Sequence, residues 1–283
     1  MKILSTASQL GHELANDEHV AFVPTMGALH EGHAILIRQA AAWSGSHPHS
    51  GACIVSVFVN PTQFNDPKDF ERYPKTLDQD VILSQTAGAT HIYAPSVEDV
   101  YPASELTRPL SLPGVAMQPS LEDAHRPGHF EGVYRVVRRL FELVRPKTAF
   151  FGEKDWQQLQ LIIAMVKHER MSIDIVPVPT VREPSGLALS SRNRFLSSKD
   201  MPKALAISQA LRDSTQASNI DQAEQIMMTC LAQHGITPEY ATIREAASLL
   251  IPQRDFQGPL RALIAAKVGN VRLIDNTPWG SKS

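Results

Sequence analysis

Val20-Ala21-Phe22-Val23-Pro24-Thr25-Met26-Gly27-Ala28-Leu29-His30-Glu31-Gly32-His33 is the stretch on which the fold turns. Its first four residues form a continuous apolar run, the mark of a short buried strand. Gly27 and Gly32 then permit a tight turn and a close approach of backbone to a ligand. From about Gly32 the pattern predicts a helix, whose first N–H groups and dipole present positive potential to phosphate. His30 and His33 stand three apart at that helix start, so both can face one anion and donate N–H groups to it as charge builds. Two rival motifs fail on spacing. A Walker A loop needs Lys-Ser/Thr after its second glycine, where His33 and Ala34 stand; a zinc-protease helix needs HExxH, not His-Glu-Gly-His. Taken alone, the segment also fits a plain strand-to-helix turn with two solvated histidines.

Outward from this turn, short apolar runs alternate with helical patterns. Residues 20–23, 53–59, 91–94, 148–151 and 173–178 read as buried strands, and 34–43 and 76–87 as helices between them. Two stronger helices follow the i, i+3, i+4, i+7 rule: Val133, Val136, Val137, Leu140, Phe141 and Val144, then Leu159, Ile162, Ile163 and Val166. Strand alternating with helix predicts an α/β domain with a doubly wound parallel sheet, whose ligands sit beyond the carboxyl ends of the strands. Near Pro177-Val178-Pro179 the rhythm changes. Helices at about 199–214 and 221–234 precede strand-like runs at 240–244, 260–268 and 271–274, which predicts a smaller C-terminal α+β domain. The expected division is residues 1–180 and 181–283.

Composition bounds the function. At about 150 residues per domain, 283 residues make one large domain or two. With 27 basic against 29 acidic residues and a formal charge of −2, the chain is not built to bind nucleic acid by bulk electrostatics. Cys53 and Cys230 form no CxxC pair, which fits a reducing compartment. No apolar run approaches the ~20 residues that span a bilayer, and the first residues lack a secretory pattern. A cytoplasmic protein without membrane or nucleic-acid partners is expected.

Four further motifs carry chemistry. Gly152-Glu153-Lys154-Asp155-Trp156-Gln157-Gln158 follows the strand at 148–151; Asp155 is placed to cap the next helix, and Lys154 to meet a phosphate at the sheet edge. Alone it is an ordinary polar turn. Thr180 to Asn193, with Ser190, Ser191 and Arg192, is a loop able to fold over a triphosphate, or a linker with a helix cap. In Phe58-Val59-Asn60-Pro61-Thr62-Gln63-Phe64, Asn60 and Gln63 are uncharged hydrogen-bonders suited to a small polar substrate. Asp78 and Asp80 further on are metal ligands or simply an acidic helix start. Arg126-Pro127-Gly128-His129-Phe130 suits a carboxylate at a helix entrance, or is a plain turn. His47 and His49 read as solvated loop residues, and Trp43, Trp156 and Trp279 as packing residues.

His-Glu-Gly-His is similar to the HIGH signature of class I aminoacyl-tRNA synthetases and nucleotidyltransferases, and Leu189-Ser190-Ser191-Arg192 to a variant of their KMSKS loop. The fuller strings, residues 24–33, 58–64, 126–130, 151–158 and 186–193, with Leu273-Ile274-Asp275-Asn276 near the end, together resemble the pantoate–β-alanine ligase (pantothenate synthetase) family. That resemblance implies a Rossmann-like adenylating fold. It also implies a ligase that forms an amide through a pantoyl-adenylate, releasing AMP and pyrophosphate. ATP would be lined by Met26, Gly27, Ala28, Leu29, His30, Glu31, Gly32, His33, Gly152, Glu153, Lys154, Asp155, Val181, Leu189, Ser190, Ser191 and Arg192. His33, His30, Lys154 and Arg192 would act on the phosphates, and Val181 would lie near the adenine. Gln63 and Gln158 would hold pantoate, with Gln63 close to incoming β-alanine. Mg2+ would travel with ATP, Asp80 being a weak candidate ligand, and the protein would be a homodimer. Three departures stand out: Ser185 in place of an acidic residue, Asp123-Ala124 in place of a glycine pattern, and a longer stretch at 44–51. Two other readings compete: a nucleotidyltransferase of the same fold acting on a phosphate-bearing substrate, and a regulatory nucleotide-binding protein without catalysis. The latter predicts erosion at His33, Lys154 or Arg192, which are all in place.

Overall fold

The structure is a computed structural model that describes residues 1–15, 17–47, 51–64, 67–102, 105 and 108–280. Along the chain run β1 (Lys2–Leu4), α1 (Ala7–Glu13), β2 (Ala21–Thr25), α2 (Glu31–Gly45), β3 (Cys53–Val57), α3 (Pro67–Arg72), α4 (Leu77–Thr86), β4 (His91–Tyr93), α5 (Val97–Val100), α6 (Glu122–His125), α7 (His129–Val144), β5 (Thr148–Gly152), α8 (Trp156–His168) and β6 (Asp174–Val178). The six strands form one sheet in the order β1-β4-β3-β2-β5-β6, with every pairing parallel. From β2 the chain runs outward through β3 to β4, with β1 added at the edge beyond it, and from β5 outward to β6. The switch point, where a doubly wound sheet opens a crevice, therefore lies between these two strands. Their pairing registers Ala21 with Thr148 and Phe22 with Ala149, whereas β2 and β3 stay in register to Thr25 and Val57.

Strand periodicity divides the core. Ala21 and Val23 of β2, Cys53 and Val55 of β3 and Phe150 of β5 point to one face, where Ala34, Ile37 and Ala40 of α2 cover them. Phe22, Ile54, Ala149 and Phe151 point to the other face, covered by Val133, Val136, Val137, Leu140 and Phe141 of α7.

The second sheet is antiparallel, β7 (Pro238–Glu245), β8 (Leu260–Val268) and β9 (Val271–Trp279), preceded by α9 (Met201–Ser214) and α10 (Ile220–Gln233). Ala262, Ile264 and Ala266 of β8 pack with Ile207 and Leu211 of α9 and Met227 and Leu231 of α10. The alternate residue Leu263 joins the core of the larger sheet instead, so the period of two gives β8 one face for each layer.

The alternating pattern placed the strands after the first, and three details differ. Lys2–Leu4 adds an edge strand before the run at 20–23; only three residues long and mostly exposed, it carries no apolar run to read. The last strand continues to Trp279, because Asp275 and Asn276 are buried polar residues that interrupt the apolar pattern without ending the ladder. His47 is not simply solvated: it is half-buried, its ring stacked 4.3 Å from His19 and tilted 4.2 Å from Trp43. His49 lies outside the described residues. Both cysteines are buried and unpaired, as a reducing compartment allows.

Candidate active site

Two turns leave adjacent central strands at the switch point. The first follows β2, where the chain enters the left-handed region at Gly27 (φ +81°) and again at Ala28 (φ +52°). A Cβ on Gly27 would stand 2.9 Å from a carboxylate oxygen of Asp80, so glycine is required there by both conformation and space. That carboxylate, delivered by α4, accepts the backbone N–H of Ala28 (3.1 Å) and of Leu29 (2.8 Å) and the Thr76 hydroxyl (3.3 and 3.2 Å). Asp80 therefore anchors the strained turn.

His30 is the N-cap of α2 and His33 its third residue, and each caps through its ring. Nδ1 of His30 accepts the Gly32 N–H at 3.1 Å, and Nδ1 of His33 accepts the His30 N–H at 3.3 Å. With both Nδ1 atoms accepting, the proton of each neutral ring sits on Nε2, a tautomer assigned from these bonds. The ring centroids are 4.2 Å apart. Burial, then the charge of Lys154, lowers the His30 pKa to about 4; burial, then His30 itself, lowers that of His33 to about 3. The pair is thus two neutral N–H donors at the start of a helix.

The second turn follows β5. Lys154 and, from the loop after β6, Arg192 line the same cleft as His30 and His33. Among the described residues neither cation has a salt-bridge partner, unlike Arg182, Arg261 and Arg272. Asp155 occupies the N-cap position of α8 but makes no capping bond, a correction to the sequence reading. Its carboxyl belongs to the cleft instead. Burial pushes its pKa up, but Lys154, Arg192, Arg126 and His129 outweigh that and hold it below the usual range. The loop at 181–189 is a small hairpin: Arg182 bridges Ala188, Glu183 N–H donates to Leu187 C=O, and Leu189 N–H to Val181 C=O. Beyond it Ser190 caps a turn of 3-10 helix (Ser191–Phe195). Tyr73 lines the cleft with Ser191 and Arg192, its hydroxyl 3.4 Å from the Gly27 carbonyl.

The same cleft, of about 240 Å³, is also lined by Met26, Gln63 and Gln158. Gln63 Nε2 lies 3.1 Å from the Met26 sulfur. Gln63 approaches α7 closely, and a Cβ on Gly132 would stand 2.4 Å from the Thr62 carbonyl oxygen. His129 donates from Nδ1 to the Gln63 carbonyl (3.0 Å) and accepts Arg126 at Nε2 (2.9 Å), the tautomer opposite to that of His30 and His33. Burial and then Arg126 hold its pKa at about 4. The Gln158 side chain has no hydrogen-bond partner among the described residues, whereas its neighbour Gln157 is buried and bonded to Val115 C=O and Asp123.

The cleft brings together Met26, His30, Gly32, His33, Gln63, Gly152, Lys154, Asp155, Gln158, Val181, Leu189, Ser190, Ser191 and Arg192. Other sequence candidates do different work. Gly27, Ala28 and Leu29 form the turn behind the lining. Glu31 is exposed and paired with Arg38 at 2.7 Å, and Glu153 is paired with Arg261 at 2.8 Å. Asp80 serves as the turn's acceptor rather than as an open metal ligand. Asn60 is spent on structure: it donates to Gln63 Oε1 and Gly132 C=O and accepts Thr62 and Tyr101. Sequence reasoning did not single out Tyr73, and read Val133, Val136 and Val137 as a helix core face rather than as a wall of the cleft. Gly132 was the available signal for the wall, because a glycine inside a helix costs up to ~1 kcal/mol and marks a close approach.

Comparison with known proteins agrees with this geometry. The family model for pantoate-beta-alanine ligase matches residues 2–278. The pantothenate synthetase of Cereibacter sphaeroides is 43% identical over 288 residues, covering 98% of this chain and 99% of that protein. A pantoate-beta-alanine ligase structure from Thermus thermophilus superposes with a TM-score of 0.89 at 39% identity, covering 98% of this chain and 99% of that one. The ligase of Francisella tularensis, described as complexed with beta-gamma ATP and beta-alanine, gives a TM-score of 0.79 at 35% identity, covering 98% and 97%.

Proposed function

The chain belongs to the pantoate–β-alanine ligase family, and from that premise we propose how its cleft performs the reaction. The enzyme is a ligase that joins pantoate and β-alanine in an amide bond with ATP. The pantoate carboxylate attacks the α-phosphorus, expelling pyrophosphate. The uncharged amine of β-alanine then attacks the acyl carbon, AMP leaves with the bonding pair, and the amine loses its proton. In this reading His30 and His33 donate from Nε2 to the phosphates, and Lys154 and Arg192 neutralise the charge that moves onto the leaving group. Gln63 and Gln158 hold pantoate, with β-alanine entering beside Gln63, and Val181 walls the adenine. The smaller C-terminal domain, with the boundary near residue 180, acts as the lid.

The observation that carries this assignment is the pair of unbridged cations, Lys154 and Arg192, lining one cleft with two tautomer-fixed neutral histidines. Positioning and charge stabilisation suffice; Cys53 lies buried outside the cleft lining, its thiol pushed up to about 12 by burial. No group of three His, Cys, Asp or Glu among the described residues forms a metal cage. In this scheme Mg2+ would enter with ATP and help to neutralise the charge of its phosphates. A cytoplasmic homodimer completes the proposal; light scattering on the purified chain tests the stoichiometry. No described helix is long and apolar enough to cross a membrane.

The decisive assay supplies ATP, pantoate and β-alanine and follows the nucleotide products. AMP and pyrophosphate should appear in step with pantothenate, and His33→Ala should lower the rate roughly 10²–10³-fold. Formation of ADP, or of a dinucleotide, or full activity of His33→Ala would reject the assignment.

A further inference from the structure

The turn that carries Lys154 is gripped from the other sheet. Asn276 of β9 donates from one Nδ2 to two consecutive backbone carbonyls, Glu153 (2.9 Å) and Lys154 itself (2.8 Å). Its Oδ1 in turn accepts Arg261 Nε at 2.7 Å. Arg261 then bonds the Glu153 carboxylate (2.8 Å) and lays its guanidinium 3.5 Å over the Trp156 ring. The chain is thus held on both sides of Lys154, by backbone and by side chain. The preceding β9 residue, Asp275, takes Arg182 in a two-pronged pair (2.6 and 2.9 Å), and Arg182 roots the hairpin that leads to Ser190–Arg192. Asp275 and Arg261 are 5% exposed and Asn276 3%, and the bonds of Asn276 Nδ2 and of Arg261 to the 153–154 turn form only while the two layers are docked.

Adjacent residues of one strand therefore hold the two segments that deliver the cleft's unbridged cations. We infer that Asn276 is a positioning residue for the adenylation step: acting through the Glu153 and Lys154 carbonyls, it sets where Lys154 meets the phosphates, while Asp275 registers the Arg192 loop from the same strand. The inference rests on the ATP-dependent reading above and deepens it. It assigns no contact between Asn276 and substrate. Its partner at the cleft is the phosphate chain that Lys154 faces.

A double-mutant cycle tests it, with pyrophosphate release from ATP and pantoate as the readout. Asn276→Ala should slow that release roughly tenfold to a hundredfold, the scale of an ångström-sized misplacement. In a Lys154→Ala background the same substitution should change the rate by less than about twofold, because the side chain it positions is gone. A merely structural role would multiply the two losses, and that result, or a wild-type rate for Asn276→Ala, would overturn the inference. Should Asn276→Ala fail to fold, Arg261→Met decides the matter. It keeps an apolar stem over Trp156 but frees Asn276 Oδ1, and the same masking by Lys154→Ala is expected. The absence of pyrophosphate release from the wild-type enzyme would instead reject the underlying reaction, so the two failures are distinguishable.

Discussion

The two turns that meet across the cleft are braced in opposite ways. The turn after β2 is secured from within its own sheet: Asp80 of α4 holds Ala28 and Leu29, and His30 and His33 cap their own helix. The turn after β5 is secured largely from outside, by Asn276 and Arg261 of the second sheet, beside one backbone bond to Val178 of its own sheet. The neutral donors are therefore preorganised whatever the smaller layer does, whereas the Lys154 turn, held in its own sheet by the Glu153 N–H to Val178 C=O bond, takes its side-chain and carbonyl braces from that layer. One half of the site is scaffold and the other is assembly.

The largest expected effect attacks the self-braced turn. Asp80→Ala strands two backbone N–H groups beside a buried, left-handed Ala28. It should cost about 2–4 kcal/mol in urea unfolding and reduce pyrophosphate release with it. A variant as stable as wild type would show that the turn holds itself. Next comes pH. His30 and His33 titrate at about 4 and about 3 when folded, below the ordinary 6.5. Between those values the unfolded chain binds more protons, so stability is full above pH ~6.5 and falls on acidification toward pH ~4. His33→Gln should flatten that fall, read as the urea midpoint at pH 7 and pH 4.5; an unchanged slope would break the assignment of neutral rings. The smallest effect belongs to Glu31→Ala. An exposed ion pair with Arg38, outside the cleft, should leave activity within about twofold and the melting temperature unmoved.

Sequence legibility follows the same division. Val20 to His33 announced itself because an apolar run, two glycines and two histidines are local signals, and the strand, turn and helix appear where that pattern puts them. Asp80 was visible only as an acidic helix start. Its partners are 51 and 52 residues away, a distance that no local pattern spans. Asp155 read as a cap because its position is that of a cap; besides its neighbour Lys154, the groups that claim its charge come from two other segments, Arg126 to His129 and Arg192. Asn276 sat in a recognisable string, but its bonds reach back more than a hundred residues, and its polarity hid the strand it belongs to. Glu31 and Glu153 were drawn into the site by adjacency; their carboxylates pair with Arg38 and Arg261, and neither residue is in the cleft lining.

One feature of the large sheet bears on how the cleft tolerates change. β2 and β5 part after Phe22 and Ala149, like a zip left open at one end, and Pro24, Thr25, Phe150, Phe151 and Gly152 line the space between. The floor of the crevice is consequently made in part of strand edges, whose amides and carbonyls are common to every residue type except for the amide that proline lacks. Side chains there can drift without erasing that polar strip, so the cleft's capacity to seat a polar ligand is inherited from topology as much as from composition.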